Sequence, residues 1–120
     1  MKRKSVLVIC RKGPYGSSAA REALDIALSG AVFELSVSLL LLDDGVLQLL
    51  PGQNSGLIGE KNLNAMLSAL PLYDIEQVYT SLHSLALHGL EAQRLEPAPR
   101  ALDNQELQTL IKCHDMVLTV

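Results

Sequence analysis

This sequence is short of several residue types, and each shortage excludes a class of protein. It contains no Trp, one Phe and three Tyr, so it lacks the aromatic side chains on which unpaired nucleic-acid bases stack. Its 10 Lys and Arg stand against 13 Asp and Glu, and the net charge of −3 argues against binding to nucleic-acid phosphates. The two cysteines, Cys10 and Cys113, supply neither a disulfide framework nor a zinc site.

Long hydrophobic runs are also missing. The longest pure leucine run covers residues 39–42, far below the ~20 apolar residues of a membrane span. The basic start MKRK is followed by an apolar stretch too short for a signal peptide, with no small-residue cleavage site after it. Apolar residues nevertheless make up 48% of the chain, which is enough for the core of one domain. We therefore expect a cytoplasmic protein that folds as a single domain over residues 1–120.

The hydrophobic pattern predicts strands that alternate with helices. Four strands are predicted, at Ser5–Cys10, residues 33–42, residues 77–80 and Met116–Thr119. Four helices are predicted, at residues 17–30 with Gly30 as the stop, residues 63–70 closed by Pro71, residues 81–88, and from the capping box of Asp103 and Glu106 onward. A helical turn at residues 46–50 and a mobile loop at residues 53–59 separate the second strand from the second helix. This alternation is typical of a three-layer α/β/α fold with a mainly parallel sheet of about five strands.

The loop at residues 11–18 is the first candidate site. It joins the first strand to the N-terminus of the first helix, where unpaired backbone N–H groups and the helix dipole attract anions. Arg11 and Lys12 add positive charge, as a flavodoxin-like module that binds a phosphorylated ligand would need. A tight crossover loop with two solvated cations explains the same residues. Gly13 and Gly16 alone complete neither a dinucleotide-binding pattern nor a P-loop.

Cys10 is the stronger of two candidate nucleophiles. It ends the first strand, at the edge where α/β proteins usually keep their sites, and the charge of Arg11 and Lys12 would favour the reactive thiolate. A buried cysteine is nevertheless the commoner outcome in a strand, because cysteine packs as a small hydrophobe. Cys113 lies at the end of the last helix, and we expect the neighbouring His114 to point elsewhere.

The histidines and paired carboxylates predict no metal site. His83 and His88 are five residues apart, so they diverge by roughly 140° around a helix and cannot share an ion. Asp43 and Asp44 follow the second strand, where carboxylates can hold Mg²⁺, but an acidic pair before Gly45 also makes a good turn. The residues alone indicate no complete catalytic constellation, and we expect neither a metal nor a cofactor.

Three segments carry a resemblance to a known family. They read GPYGSSAAREALD at residues 13–25, DGVLQLLPGQ at residues 44–53 and LYDIEQVY at residues 72–79. In order and spacing they resemble the TusC/DsrF branch of the DsrE-like sulfur-relay proteins, and the match runs from residue 1 to about residue 79. The segment after residue 83 fits more loosely, although a capped helix and a final strand also suit the family.

This resemblance implies a small α/β/α subunit of a heterohexamer that holds two copies each of three related subunits. Such an assembly takes persulfide sulfur from an upstream carrier and hands it to a downstream one. In the Tus form the destination is the 2-thio group of the wobble uridine in certain tRNAs, and in the Dsr form it is sulfite reductase chemistry. The implied partners are TusB-like and TusD-like subunits, with no direct contact with nucleic acid or membrane.

The resemblance also implies a role for particular residues. The sulfur-carrying cysteine of the family belongs to the TusD/DsrE subunit, in the loop after a middle strand. The equivalent segment here is VYTSL at residues 78–82, and an oxygen nucleophile such as Thr80 or Ser81 cannot form the S–S bond. A non-catalytic subunit is therefore implied, with residues 44–53 and 61–70 as candidate contact segments. The motif residues expected to shape subunit contacts are Pro14, Tyr15, Gly16, Asp44, Gly45, Gln48, Leu50, Pro51 and Tyr73.

Two alternatives remain open from the sequence. One is a stand-alone thiol sulfurtransferase that uses Cys10, and the other is the Dsr-type subunit of sulfur oxidation.

Overall fold

The computed structural model describes residues 3–51, 63–75 and 77–120. The strands are β1 (Ser5–Cys10), β2 (Ser36–Leu41), β3 (Val78–Ser81), β4 (Arg100–Leu102) and β5 (Met116–Thr119). The α-helices are α1 (Ala19–Val32), α2 (Leu63–Ser68), α3 (Leu82–His88) and α4 (Asn104–Lys112). The remaining described elements are the 3-10 helices Asp43–Leu49, Leu70–Tyr73 and Ala92–Arg94. The loop predicted at residues 53–59 lies outside the described residues, as do the last two residues of the contact segment predicted at 44–53 and the first two of the one predicted at 61–70.

The strands form one sheet in the order β4-β3-β2-β1-β5, and every neighbouring pair is parallel. Parallel neighbours need crossover connections, and these are almost always right-handed. The connections from β1 through β4 all step in one direction, whereas the connection through α4 returns to the far side of β1. Because the step is reversed, α4 lies on the opposite face of the sheet from the other helices. The expected three-layer α/β/α fold with a parallel sheet is confirmed.

Each face of the sheet has its own hydrophobic core. Along β1, Val6, Val8 and Cys10 belong to the larger core, and Leu7 and Ile9 belong to the smaller one. The helix residues buried in the larger core are Ala23, Leu24 and Ala27 of α1, Leu67 of α2 and Leu85 of α3. The residues that α4 contributes to the smaller core are Leu107, Leu110 and Ile111. Burial on both faces explains why β1 reads as an unbroken apolar run.

The first helix runs past its predicted end. Gly30 does not stop α1, which continues to Val32. The glycine is needed for packing instead, since a Cβ there would lie 2.9 Å from Val37 Cγ2 on β2. The chain turns at Glu34, whose φ is +63°, so the strand predicted from residue 33 begins only at Ser36.

Three further boundaries correct the sequence prediction. The helical turn expected from residue 46 begins at Asp43. The second helix ends at Ser68, and Pro71 lies within the 3-10 helix Leu70–Tyr73, because proline is tolerated in a first helical turn. The short strand β4 was not predicted, since its three residues follow Pro97 and Pro99 and show no periodicity.

Two helix termini match the prediction. Ser81 caps α3 by accepting a hydrogen bond from Ser84 N, and Gly89 ends that helix in the left-handed conformation. The capping box of α4 is formed in both directions between Asp103 and Glu106. Within the described ranges, no helix has the length and apolar character required to cross a membrane.

Candidate functional site

The carboxyl ends of β1, β2 and β3 meet at one edge of the sheet, where two of the family motifs come together. The 3-10 helix Asp43–Leu49 lies against the end of β1, because Leu42 N donates to Cys10 O at 3.0 Å and Gly45 N donates to Leu42 O at 2.8 Å. Gly45 approaches the end of β1 so closely that a Cβ would clash with the carbonyl oxygen of Cys10. Only glycine fits this position.

Gln48 fastens the loop at residues 11–18 to this 3-10 helix. Its side chain is buried, with 1% exposure, and its Nε2 donates to Lys12 O at 2.9 Å. The same amide nitrogen lies 3.5 Å from Cys10 Sγ. A buried amide must be hydrogen-bonded to be tolerated, so the residue type is explained by its structural contacts.

Cys10 has no access to solvent, and its exposed fraction is 0%. Its Sγ lies 3.8 Å from Lys12 O, so the loop at residues 11–18 covers the thiol instead of exposing it. Arg11 turns outward and forms a 2.8 Å ion pair with Asp43 on the exposed surface. The arrangement is that of a packed thiol rather than a displayed nucleophile.

A depression of about 370 Å³ lies between the loop at residues 11–18 and the 3-10 helix. It is lined by Gly13, Pro14, Tyr15, Asp44, Leu47 and Leu50. The lining is mostly apolar and includes a carboxylate, which is the opposite of what a phosphate group requires. In the same loop, Ser18 Oγ donates to Glu22 at 2.9 Å, and Ser17 Oγ accepts from the backbone N–H of Ala19, the first residue of α1, at 3.3 Å.

Leu50 also lines a second depression, which has a volume of about 410 Å³. It is lined by Leu50, Pro51, Gly89, Leu90, Glu91, Arg94 and Leu95. His88 lies between the two, with its Nε2 3.1 Å from Asp44 Oδ1. Over the described part of the chain, no group of three potential ligands is placed to hold a metal ion. Leu50 of the second motif segment therefore lines both depressions.

The end of β3, the segment that the resemblance relates to the carrier cysteine of another subunit, is occupied by buried hydroxyl groups. Thr80 is fully buried, and its Oγ1 donates to Leu41 O at 2.7 Å. Ser81 Oγ lies 2.7 Å from Ser84 Oγ and accepts from Ser84 N at 2.9 Å. Ser84 Oγ in turn accepts from Asp43 N at 2.9 Å. These hydroxyls hold β3, α3 and the 3-10 helix Asp43–Leu49 together.

Tyr73 of the third motif lies apart from this edge. It ends the 3-10 helix Leu70–Tyr73 with 49% of its surface exposed, beside Leu72 at 85%. Asp74 closes the element in the left-handed conformation, with φ of +64°. These two exposed side chains are apolar or aromatic and pack against no described part of the protein that would bury them.

At the end of α4 the structure brings Cys113 and His114 together, contrary to the expectation that they point apart. Cys113 Sγ lies 3.6 Å from His114 Nδ1. Both groups also approach the Leu110 carbonyl oxygen, at 3.2 Å from the sulfur and 2.7 Å from Nδ1. A carbonyl oxygen only accepts, so Nδ1 carries a proton there and cannot act as a base for the thiol. The pair caps the helix C-terminus.

A five-stranded parallel sheet with helices packed on both faces defines a small three-layer α/β domain. The family model of the DsrE/DsrF-like family matches residues 4–120, and the chain belongs to that family. It is 44% identical over 117 residues to a TusC homolog of Pseudomonas aeruginosa, with 98% of each chain covered.

Two further relatives agree with this assignment. The intracellular sulfur oxidation protein DsrF of Allochromatium vinosum is 41% identical over 87 residues, which cover 72% of this chain and 64% of that protein. The crystal structure of the YchN protein of Escherichia coli superposes with a TM-score of 0.84 at 26% identity, covering 99% of this chain and all of the other. The chain is thus a DsrE-like protein of the sulfur-relay type.

Proposed function

We propose that this chain, as one domain over residues 1–120, is an accessory and non-catalytic subunit of a heterohexameric sulfur-relay complex in the cytoplasm. The complex passes persulfide sulfur between carrier proteins for 2-thiolation of the wobble uridine of tRNA. The direct partners are TusB-like and TusD-like subunits, and the tRNA is reached only through the downstream carrier.

The observation that carries this proposal is the chemistry at the end of β3. A persulfide carrier needs an accessible thiol, whereas Thr80 and Ser81 are hydroxyls with 0% and 5% exposure. Both hydroxyls are hydrogen-bonded within the fold. Cys10 is fully buried, and Cys113 lies at the far end of α4. The described residues thus contain no exposed thiol at the end of β3 or of β1.

Exposed apolar side chains support the role of an assembly subunit. On α3, Leu82 and Leu87 are 53% and 58% exposed, and on the 3-10 helix Leu70–Tyr73, Leu72 is 85% exposed. Large apolar side chains that stay exposed in the isolated chain are available for contact with partners. A subunit of a permanent complex would bury them against its partners.

The share of each relative's length that this chain matches favours the tRNA pathway over sulfur oxidation. The TusC homolog is matched over 98% of both chains. The DsrF protein, whose name states a role in intracellular sulfur oxidation, is matched over only 64% of its length. The Dsr-type role stays the second candidate because its identity in the matched part, 41%, is nearly as high.

Affinity purification of the tagged chain from its native host tests the assembly. We expect recovery in equal amounts with two small relatives, one of which has a thiol that takes up sulfur from a persulfide donor. Recovery of the chain alone as a homo-oligomer would contradict the proposal.

Complementation of a deletion strain tests the chemistry. We expect the strain to lose 2-thiouridine from its tRNA, and both the wild-type chain and Cys10→Ser to restore it. Failure of Cys10→Ser at a normal protein level would instead establish Cys10 as a sulfur carrier. Normal tRNA together with a defect in sulfur oxidation would assign the chain to the Dsr pathway.

A further inference from the structure

The outer side of β5 is an open hydrogen-bonding edge. In the sheet of described strands, β5 pairs with β1 alone. Val120 N donates to Ile9 O at 2.9 Å, and alternate residues of a parallel strand direct their backbone groups to the same neighbour. Leu118 and Val120 therefore face β1, while the N–H and C=O groups of Val117 and Thr119 face outward.

The opposite edge of the sheet is protected, and β5 is not. Natural proteins guard edge strands with prolines, charged side chains and short lengths. The edge strand β4 has three residues, includes the exposed Arg100 and follows Pro97 and Pro99. The segment MVLTV at residues 116–120 contains no charged side chain and no proline. Its Met116 and Val117 side chains are 52% and 37% exposed.

This unprotected segment is also complementary to itself. In an antiparallel pair with a two-fold axis at Leu118, Val117 lies opposite Thr119 of the second copy, and Thr119 opposite its Val117. These are the residues whose backbone groups face outward, so each opposed pair exchanges both N–H···O bonds. Met116 then lies opposite Val120, and Leu118 opposite itself. No charged side chain meets another charge, as a self-complementary contact requires.

We propose that β5 pairs antiparallel with β5 of a second copy of this chain, so that the two sheets become continuous. The pairing uses only backbone groups and uncharged side chains of residues 116–120, so it does not depend on sulfur chemistry or on other subunits. In an assembly that contains two copies of the chain, it would lie across the two-fold axis.

Sedimentation of the purified chain alone tests the pairing. Since a contact of this size binds weakly, concentrations up to about 0.5 mM are needed. We expect wild-type chain to reach twice its 13.0 kDa mass. Thr119→Pro removes an outward N–H but no bond to β1, as edge positions allow, and Val117→Lys adds a guarding charge. Both should raise the dissociation constant at least tenfold.

A matched control separates the edge from general surface charge. Val32→Lys makes the same change at an exposed position, 72% accessible, at the end of α1. It should dimerise as the wild type does. Equal melting temperatures of the variants show that the fold is kept. If Thr119→Pro unfolds the chain, the dissociation constant of Val117→Lys still tests the pairing.

In a Cys113→Ser background, a disulfide between engineered cysteines tests directly which residues of the two β5 strands lie opposite each other. At the proposed axis two Leu118 positions face each other with Cα atoms about 4.5 Å apart, so Leu118→Cys should form a linked dimer on oxidation. Met116→Cys should not, because two such positions would lie four residues apart along the strands, about 14 Å.

The outcomes distinguish this inference from the proposed function. A wild-type chain that stays monomeric, or a dimer unaffected by both β5 variants, overturns the pairing, whatever is recovered from the native host. The pairing is also overturned if the wild-type chain is monomeric alone and the Val117→Lys variant no longer recovers the related subunits. That result would assign the β5 edge to a contact with a different subunit. A β5-dependent dimer that recovers no relatives supports the pairing and contradicts the relay complex.

Discussion

At the scale of single residues, Gly45 is the point where the second family motif meets the end of β1. The motif glycine lets the 3-10 helix Asp43–Leu49 approach the Cys10 carbonyl, and Gln48 ties the loop at residues 11–18 to the same helix. The position of Cys10 at the end of a strand was predicted correctly from the sequence. The sequence left a buried and a reactive thiol both open, with burial the commoner outcome, and the structure shows the buried one. The side chain beside its sulfur, Gln48, is 38 residues away along the chain, so no local pattern shows the contact.

Gly45→Ala should lower the free energy of unfolding by about 3 kcal/mol, since rigid backbone must move to admit a Cβ. Urea denaturation measures the loss. Gly13→Ala is the matched control, because a Cβ there would make only an ordinary contact at 3.7 Å and should change stability by no more than about 0.5 kcal/mol. Equal effects of the two substitutions would show that the close approach is wrong.

The two thiols should differ sharply in their reaction with a thiol reagent. In the folded chain we expect only the exposed Cys113 to react, while Cys10 reacts after unfolding in denaturant. Counting labelled thiols by intact mass measures this, and Cys113→Ser should leave the folded chain unlabelled. Rapid labelling of Cys10 in that variant would contradict its burial and reopen the sulfurtransferase hypothesis.

At the scale of elements, local signals decided some helix ends and packing decided others. The capping box of α4 and the Ser81 cap of α3 follow from a few adjacent residues, and both were predicted. Gly30, in contrast, looks like a helix stop but lies inside α1 because Val37 requires the space. A sequence pattern cannot distinguish these two uses of glycine, since the second depends on a strand that comes later in the chain.

The α4 cap offers a direct test of a local signal. Asp103→Ala removes the carboxylate that accepts from Glu106 N at 2.8 Å, and it should cost about 1 kcal/mol of stability. The exposed neighbour Asn104, the first residue of the helix, is the control, and Asn104→Ala should stay within about 0.5 kcal/mol of wild type. Thermal or urea unfolding of both variants compares them. A neutral Asp103→Ala would mean that the box adds nothing to the packing of α4.

At the scale of the whole molecule, the apolar and aromatic side chains that stay exposed after folding indicate where partners bind. Tyr73 is exposed, whereas Leu50 is half-buried and packs against the larger core. Both residues were predicted as contact residues. Their different burial means that only Tyr73 can be changed without disturbing the fold.

Tyr73→Ala should therefore weaken recovery of the related subunits severalfold while leaving the melting temperature of the isolated chain nearly unchanged. Leu50→Asp should weaken recovery too, but with a lower melting temperature as well. Phe33→Ala is the control, because Phe33 is 79% exposed and lies outside the family motifs. Recovery of the full-size complex with Tyr73→Ala would show that Tyr73 does not lie in the interface.

The sequence by itself determined the alternation of strands and helices, the caps of α3 and α4, and the absence of a thiol after β3. These features depend on neighbouring residues, whose periodicity and hydrogen-bonding groups act over a few positions. Only the tertiary structure decided that Cys10 is buried, that Cys113 contacts His114, and that β4 is a guarded edge while β5 is an open one. Burial and strand order arise from contacts between distant segments, which no local pattern encodes.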